Sequence, residues 1–258
     1  MDLELQGKVA VIAGGSRGIG RYIASALGRE GCRVAVFARN ADGVERAISD
    51  LCKEGVEAEG WPVDIEDASS GREIVSKTLE AFGRLDVYIG NAGGNRRKPF
   101  VETTDEDWYD LLRLNLVSHL RAARSAIAPM REQKGGAIVF ISSIFGREAG
   151  GPGLSLYNTT KTALISAAKI MAVELASEGI RVNTVAPGSI RFPGGSWDRR
   201  CIEQPEAMAE FVRENIPLGR FGTAEEVADV VTFLCSSRAS LVTGACLNVD
   251  GGQSRSLI

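Results

Sequence analysis

The sequence contains one histidine, His119, among 258 residues. A lone imidazole excludes any metal site built from several histidines, and no metal is expected. His119 falls in a stretch with helical spacing and reads as a partly exposed helix residue without a role. No His-dependent triad is therefore expected. The cysteines (Cys32, Cys52, Cys201, Cys235, Cys246) are scattered, none in a C-x-x-C pair. Their odd number argues against a disulfide framework and for reduced thiols, which suggests the cytoplasm. No apolar run reaches the ~18 residues that suggest a membrane span. The opening Met1-Asp2-Leu3-Glu4 is acidic, unlike a secretory signal. A net charge of −3 offers no broad basic face, so nucleic-acid binding is not expected. Proline is scarce at 8 residues, while 44% of the chain is hydrophobic, enough for a sizeable core.

What the chain does have is alternation. Apolar runs suited to strands fall at 8–13, 33–38, 57–62, 86–90, 136–142, 181–186 and 245–249. Helical spacing fills 18–30, 42–54, 67–82, 104–113, 115–133, 156–178, 206–215 and 223–235. Alternation of this kind argues for an α/β fold: a Rossmann-like, doubly wound, seven-stranded, mostly parallel sheet with helices on both faces. No linker, repeat or low-complexity tract divides the chain, so one domain over 1–258 is expected. Ligands then bind beyond the carboxyl ends of the strands, where the strand order reverses. Residues 191–205 break the pattern and show no clean period. Long irregular insertions in compact domains are often lids, and a lid over 191–215 is expected here.

Strand 8–13 runs into Gly14-Gly15-Ser16-Arg17-Gly18-Ile19-Gly20, after which Tyr22, Ile23, Ala26 and Leu27 recur at helical spacing. Strand, glycine turn, helix is the context of a dinucleotide site. Glycines let the backbone approach a pyrophosphate, and the helix N-terminus attracts its charge. A plain structural glycine turn is the competing explanation. A second feature is Tyr157-Asn158-Thr159-Thr160-Lys161. At this spacing the phenol and the ammonium share one helix face. An ammonium so placed stabilises phenolate, which predicts a Tyr157 pKa lowered from about 10 toward neutrality. Such a phenol can exchange a proton with an alcohol or carbonyl oxygen. Ser143 could hold the same oxygen by a hydrogen bond.

These features share one order with Asn91-Ala92-Gly93-Gly94, Leu114-Asn115-Leu116, Ile141-Ser142-Ser143, the run from Asn183 to Gly188, that from Arg220 to Ala228, and that from Thr243 to Gly252. In that order, end to end, the chain resembles the short-chain dehydrogenase/reductase family. The resemblance implies hydride transfer between a nicotinamide and a carbonyl or secondary alcohol. It implies Tyr157 as proton donor in reduction and Lys161 as the group that lowers its pKa and bonds the nicotinamide ribose. It implies Ser143 as holder of the substrate oxygen, and Asn115 as support for a water that relays protons to Lys161. Read without the family, Asn115 is as readily a helix flaw or a partner for backbone. The cofactor would lie on Gly14, Ser16, Arg17, Gly18, Ile19 and Gly20, with Asn91, Ala92 and Gly93 under the adenine ribose. Pro187, Gly188 and Ile190 would meet the nicotinamide amide. Asp64 and Ile65 resemble the family's adenine-contacting pair, although Asp64 serves nearly as well as a helix cap before Ala68. Three departures stand out: Ala13 where Thr is usual, Phe192 where Thr is frequent, and one extra residue between Ser143 and Tyr157, which requires the loop between them to bulge.

The second strand ends Val36-Phe37-Ala38-Arg39-Asn40. Ala38 stands where an acidic residue would bond a ribose 2′-hydroxyl, and Arg39 with Arg17 suits a 2′-phosphate, so NADP(H) is expected. The substrate is expected to be a small carbonyl or alcohol. Resemblance is greatest to 3-oxoacyl-[acyl-carrier-protein] reductases, with sugar or polyol dehydrogenases as the alternative and a non-catalytic dinucleotide-binding protein further off. Arg96, Arg97, Lys98, Arg147, Arg191, Arg199 and Arg200 fall in loops expected to border the cleft, where they either attract an anionic substrate or are solvated charge. Glu178 stands where several carrier-protein reductases carry a basic residue. Resemblance also implies a homotetramer.

Overall fold

The computed structural model describes residues 2–257. Its strands are β1 (Val9–Ala13), β2 (Arg33–Ala38), β3 (Ala58–Pro62), β4 (Val87–Gly90), β5 (Gly136–Ile141), β6 (Ile180–Pro187), β7 (Ile190–Arg191), β8 (Gly222–Thr223) and β9 (Cys246–Val249). Its helices are α1 (Gly18–Arg29), α2 (Ala41–Lys53), α3 (Ser70–Phe82), α4 (Asp105–Leu112), α5 (Ser118–Glu132), α6 (Ser155–Leu175), α7 (Ser196–Glu203), α8 (Pro205–Asn215) and α9 (Ala224–Cys235). Seven strands form one sheet in the order β3-β2-β1-β4-β5-β6-β9, and β7 pairs with β8 apart from it. Every neighbour in the large sheet is parallel. This is the expected doubly wound α/β fold.

The apolar runs become strands because both faces of the sheet are covered. β1 shows the division. Ala10 and Ile12 enter one core with Ile23 and Leu27 of α1 and Val227 and Val231 of α9. Val9 and Val11 enter the other with Ile74 of α3, Ala122 and Ala126 of α5, and Leu164 and Ala168 of α6. Successive side chains point to opposite faces, so a strand between two helical layers must be apolar throughout. Burying one such side chain contributes roughly 1.5–3 kcal/mol.

β1 pairs with β2 on one side and β4 on the other, so the chain winds outward in opposite directions from this point. A crevice opens there beyond the strand ends. The Ala13 carbonyl accepts from the N–H groups of Asn91 (3.1 Å) and Ala92 (2.8 Å), while Gly14 N–H donates to Phe37 O (2.7 Å). These bonds lash the end of β1 and the glycine turn to β2 on one side and to the segment after β4 on the other.

Besides the β7–β8 pair, which no apolar run foretold, two elements differ from expectation. The helices expected at 104–113 and 115–133 are one continuous run, joined by a π-helical turn at Arg113–Val117 that contains Asn115. Such a turn inserts a residue and re-aims side chains, and it is frequent at functional sites. Within the supposedly irregular 191–205, Ser196–Glu203 forms a helix. Tertiary contact holds it. Trp197 stacks on Phe211 (4.8 Å between ring centres) and lies 5.2 Å from Phe221, and Arg191 pairs with Asp198 at 2.9 Å.

Candidate active site

A cavity of about 970 Å³ runs along the crevice, lined by Gly14, Ser16, Arg17, Gly18 and Ile19 from the glycine turn and by Asn91, Ala92 and Gly93 from the turn after β4. Arg39 and Ile65 also line it. The turn is built for close approach. Gly14 has φ +82°, and a Cβ there would lie 2.7 Å from Ala92 backbone atoms. A Cβ on Gly20 would meet the Gly14 carbonyl at 2.2 Å, and the Asn91 amide donates to that carbonyl at 2.8 Å. α1 carries no acid in its first turn and no side-chain cap on its N-terminus. Free N–H groups and an unopposed helix dipole fit a pyrophosphate.

The remaining cofactor positions are scattered. Pro187 ends β6, and Gly188 N–H donates to Val249 O at 3.0 Å. Ile190 is buried in β7. Asp64 accepts from Glu66 N–H at 3.0 Å, a local turn; α3 begins only at Ser70, so Asp64 is not its cap. Arg39 stays exposed, with Glu66 at 3.7 Å. At Gly18, φ is +55° and a Cβ would lie 2.9 Å from the Phe192 ring. The ring that replaces the usual threonine thus packs on the start of α1.

The catalytic candidates converge from three elements. Ser143 follows β5, and its Oγ accepts from Phe145 N–H at 3.2 Å. Tyr157 and Lys161 lie on α6, with Nζ 5.8 Å from the tyrosine ring centre. Lys161 is 4% exposed and donates to Ile141 O at 2.8 Å. Asn115 accepts from Gly94 N–H (2.9 Å) and donates to Gly94 O (3.0 Å) and Thr160 Oγ1 (3.0 Å). Between Ser143 and Tyr157 the chain makes a 3-10 turn at Ile144–Gly146 and a turn at Gly153, whose carbonyl accepts from Lys98 N–H at 3.0 Å.

The electrostatics correct one expectation. The Tyr157 pKa is raised, not lowered. Burial pushes it up, and a hydrogen bond with the Ser143 side chain only partly offsets this. Burial also brings Lys161 down to about 8, because the low-dielectric surroundings penalise its ammonium. Tyr157 and Lys161 do share one stretch of α6, but burial dominates the titration of both.

His119 is a second correction: it is fully buried, not partly exposed. The basic cluster is only partly ion-paired, through Arg96, Lys98 and Arg191. Arg96 (2.6 Å) and Lys98 (2.8 Å) both pair with Asp107, Arg97 donates to Pro152 O, and Arg147 donates to Cys246 O. Arg199 donates to Gly194 O, and Arg200 stacks on Trp197. Of the loop cations expected to border the cleft, Arg199 lines the cavity, and sequence reasoning missed Arg46 there. It also missed Thr160, buried between Asn115 and the Tyr157 carbonyl, to which it donates at 3.0 Å. The signal for Thr160 was its place within the Tyr-Lys motif; for Arg46, its position in the second turn of α2, the helix that follows Arg39.

Comparison with known proteins accords with this geometry. A family model described as enoyl-(acyl carrier protein) reductase matches residues 13–254. The chain is 36% identical over 253 residues to the 3-oxoacyl-[acyl-carrier-protein] reductase FabG of Aquifex aeolicus, covering 98% of this chain and 99% of that protein. It is 35% identical to FabG of Escherichia coli over 250 residues, covering 97% and 98%. L-sorbose reductase from Gluconobacter frateurii, solved with NADPH and L-sorbose, superposes with a TM-score of 0.93 at 33% identity, with full coverage of both chains. From glycine turn to C-terminal strand, in sequence and in topology, this chain belongs to the short-chain dehydrogenase/reductase family.

Proposed function

We propose that the protein is an NADP(H)-dependent reductase of a carbonyl, with a 3-oxoacyl thioester as the leading substrate class. The observation that carries this reading is the convergence of Ser143 at the end of β5 with Tyr157 and Lys161 of α6, whose Nζ lies 5.8 Å from the tyrosine ring centre. FabG relatives at 35–36% identity support the thioester, and the NADPH complex of the sorbose reductase supports the phosphorylated dinucleotide. Within the chain, Ala38 leaves no carboxylate to repel a 2′-phosphate, while Arg17, Arg39 and Arg46 line the same cavity.

When bound, the dinucleotide supplies the hydride. The chain's own groups handle the oxygen. Ser143 and Tyr157 hydroxyls hold the substrate carbonyl oxygen by hydrogen bonds. The raised Tyr157 pKa keeps the phenol protonated at neutral pH, so it is ready as a donor. As negative charge develops, Tyr157 passes its proton to that oxygen, and the nearby Lys161 ammonium stabilises the phenolate left behind. Asn115 and Thr160 hold the α6 face against Gly94, fixing where these groups meet. We read residues 1–258 as one catalytic domain, with 191–215 as its substrate lid. Supporting the lid, Phe192 and Arg199 line the cofactor cavity.

A sugar or polyol carbonyl is the second reading, and one observation favours it. Glu178 holds Arg131 in an ion pair, with Nη2 to Oε1 at 2.8 Å. That pair neutralises a cation which could otherwise meet an acidic carrier protein. Turnover of 3-oxoacyl thioesters, ketoses and simple ketones, followed by reduced-nicotinamide absorbance, decides between the two. Absence of turnover with all of them would leave a non-catalytic dinucleotide-binding protein.

We further propose a cytoplasmic homotetramer. No helix among the described residues is long and apolar enough to cross a membrane, and the five cysteines are free. Ile170 and Val173 on α6 are 56% and 70% exposed, which supports a covered face in an oligomer.

A further inference from the structure

His119 has no part in the proton transfer described above, yet it is completely buried behind the cofactor turn. It follows Asn115 by four positions, and side chains at this spacing share a helix face. Both grip the same segment. Asn115 takes Gly94 by its N–H and its carbonyl, while His119 Nε2 lies 2.6 Å from the Ala92 carbonyl oxygen. A carbonyl oxygen only accepts, so Nε2 carries the proton in this contact. The other ring nitrogen, Nδ1, has no hydrogen-bond partner among the described residues. It lies 2.9 Å from the point a Cβ on Gly90 would occupy, so the ring fits only because position 90 is glycine. An apolar side chain would fill this space without stranding a buried nitrogen. The ring is kept neutral by its burial and by the Lys161 charge, which bring its pKa down to about 4.

Between the two grips lies Gly93, whose Cβ position is 3.1 Å from Asn115 Oδ1 and 3.6 Å from Lys161 Nζ. Ala92 and Gly93 line the cofactor cavity. We infer that His119 is a positioning residue: its Nε2–H holds the Ala92 carbonyl and, with Asn115, sets the Asn91–Gly94 turn as the surface on which the dinucleotide lies beside Lys161. The inference rests on the nicotinamide reading above.

As the chain's sole histidine, His119 gives ring nitrogen resonances that need no assignment. In tag-free, full-length protein the ring should show the Nε2–H tautomer at pH 7, and both nitrogens should shift on saturation with NADPH. His119→Phe, of similar size but without a donor, should weaken NADPH binding about tenfold by fluorescence titration. His119→Gln, whose amide can donate to the same carbonyl, should stay within about threefold of the parent. Melting temperatures taken alongside separate a structural effect from a positional one. An Nδ1–H tautomer, a ring that does not move while fluorescence reports NADPH binding, tight binding by His119→Phe, or equal weakening in both variants would overturn the role. Should His119→Phe fail to fold, the tautomer and the titration of the parent protein still decide. Failure to bind any nicotinamide would instead sink the oxidoreductase reading itself.

Discussion

Asn115 bonds Gly94 twice, accepting from its N–H at 2.9 Å and donating to its carbonyl at 3.0 Å. A side-chain amide matches a peptide unit, donor to acceptor and acceptor to donor. The π-helical turn at Arg113–Val117 carries Asn115, and Thr160 receives its second amide hydrogen. The Asn91–Gly94 turn and α6 are thereby joined through one side chain.

Asn115→Ala should therefore lower both stability and rate. It strands the Gly94 groups and frees Thr160, at a cost of about 1–3 kcal/mol in urea unfolding. Loss of alignment should lower kcat by about tenfold or more. A variant with parental kcat would remove Asn115 from the site.

Tyr157→Phe should reduce kcat by roughly 10²–10⁴-fold, the usual worth of a positioned proton donor, and leave the NADPH Kd nearly unchanged. The cavity that would hold the dinucleotide is lined by the glycine turn and the Asn91–Gly93 turn. Lys161→Ala should harm turnover and binding together, since by family resemblance its ammonium serves both. Stopped-flow kinetics and fluorescence titration read the two effects separately. Near-parental turnover of Tyr157→Phe would refute its assignment as donor.

Reduction should decline above about pH 8. Lys161 is cationic below that value and neutral above it, since burial has lowered its pKa to about 8. With the charge gone, the phenolate formed in the proton transfer loses its stabilisation. The pH profile of kcat/KM should show a one-proton falling limb there, reporting the free enzyme. A profile flat to pH 10 would contradict the shifted lysine.

Cofactor preference should favour NADPH, with a kcat/KM ratio over NADH above one. Ala38→Asp combined with Arg39→Ala should reverse it, because the new carboxylate suits a 2′-hydroxyl and repels a phosphate. Arg39 is exposed and only 3.7 Å from Glu66, so part of its charge is already offset. Arg17 and Arg46 should consequently leave residual NADPH affinity in the double variant. A parental ratio at or below one would overturn the assignment.

Light scattering at micromolar concentration should give four times the chain mass of 27.5 kDa. Ile170→Glu with Val173→Glu should dissociate the assembly if α6 is a contact face, as the exposure of both residues suggests. A monomeric parent would refute the tetramer.

The seven strands of the large sheet were legible because each falls in a mostly apolar run between turn residues, whereas the short β7–β8 pair was not. The observed bounds agree with the expected ones to within one residue at either end. Gly14 to Gly20, Tyr157 and Lys161 were legible for a related reason: their chemistry depends on spacing along one strand-turn-helix unit or one helix face. Ser196–Glu203 was not, because aromatic contacts from Phe211 and Phe221 stabilise that helix.

The sequence by itself determined the order of strands and helices, the glycine turn at the end of β1, and the pairing of Tyr157 with Lys161 on one helix face. These follow from local hydrophobic period, backbone freedom and helical geometry. The tertiary structure alone decided how charge behaves. It buried Lys161 and His119, raised the Tyr157 pKa, and matched Arg96 and Lys98 with Asp107. Desolvation and ion pairing depend on what surrounds a group in space, and those surroundings come from segments far apart in the chain.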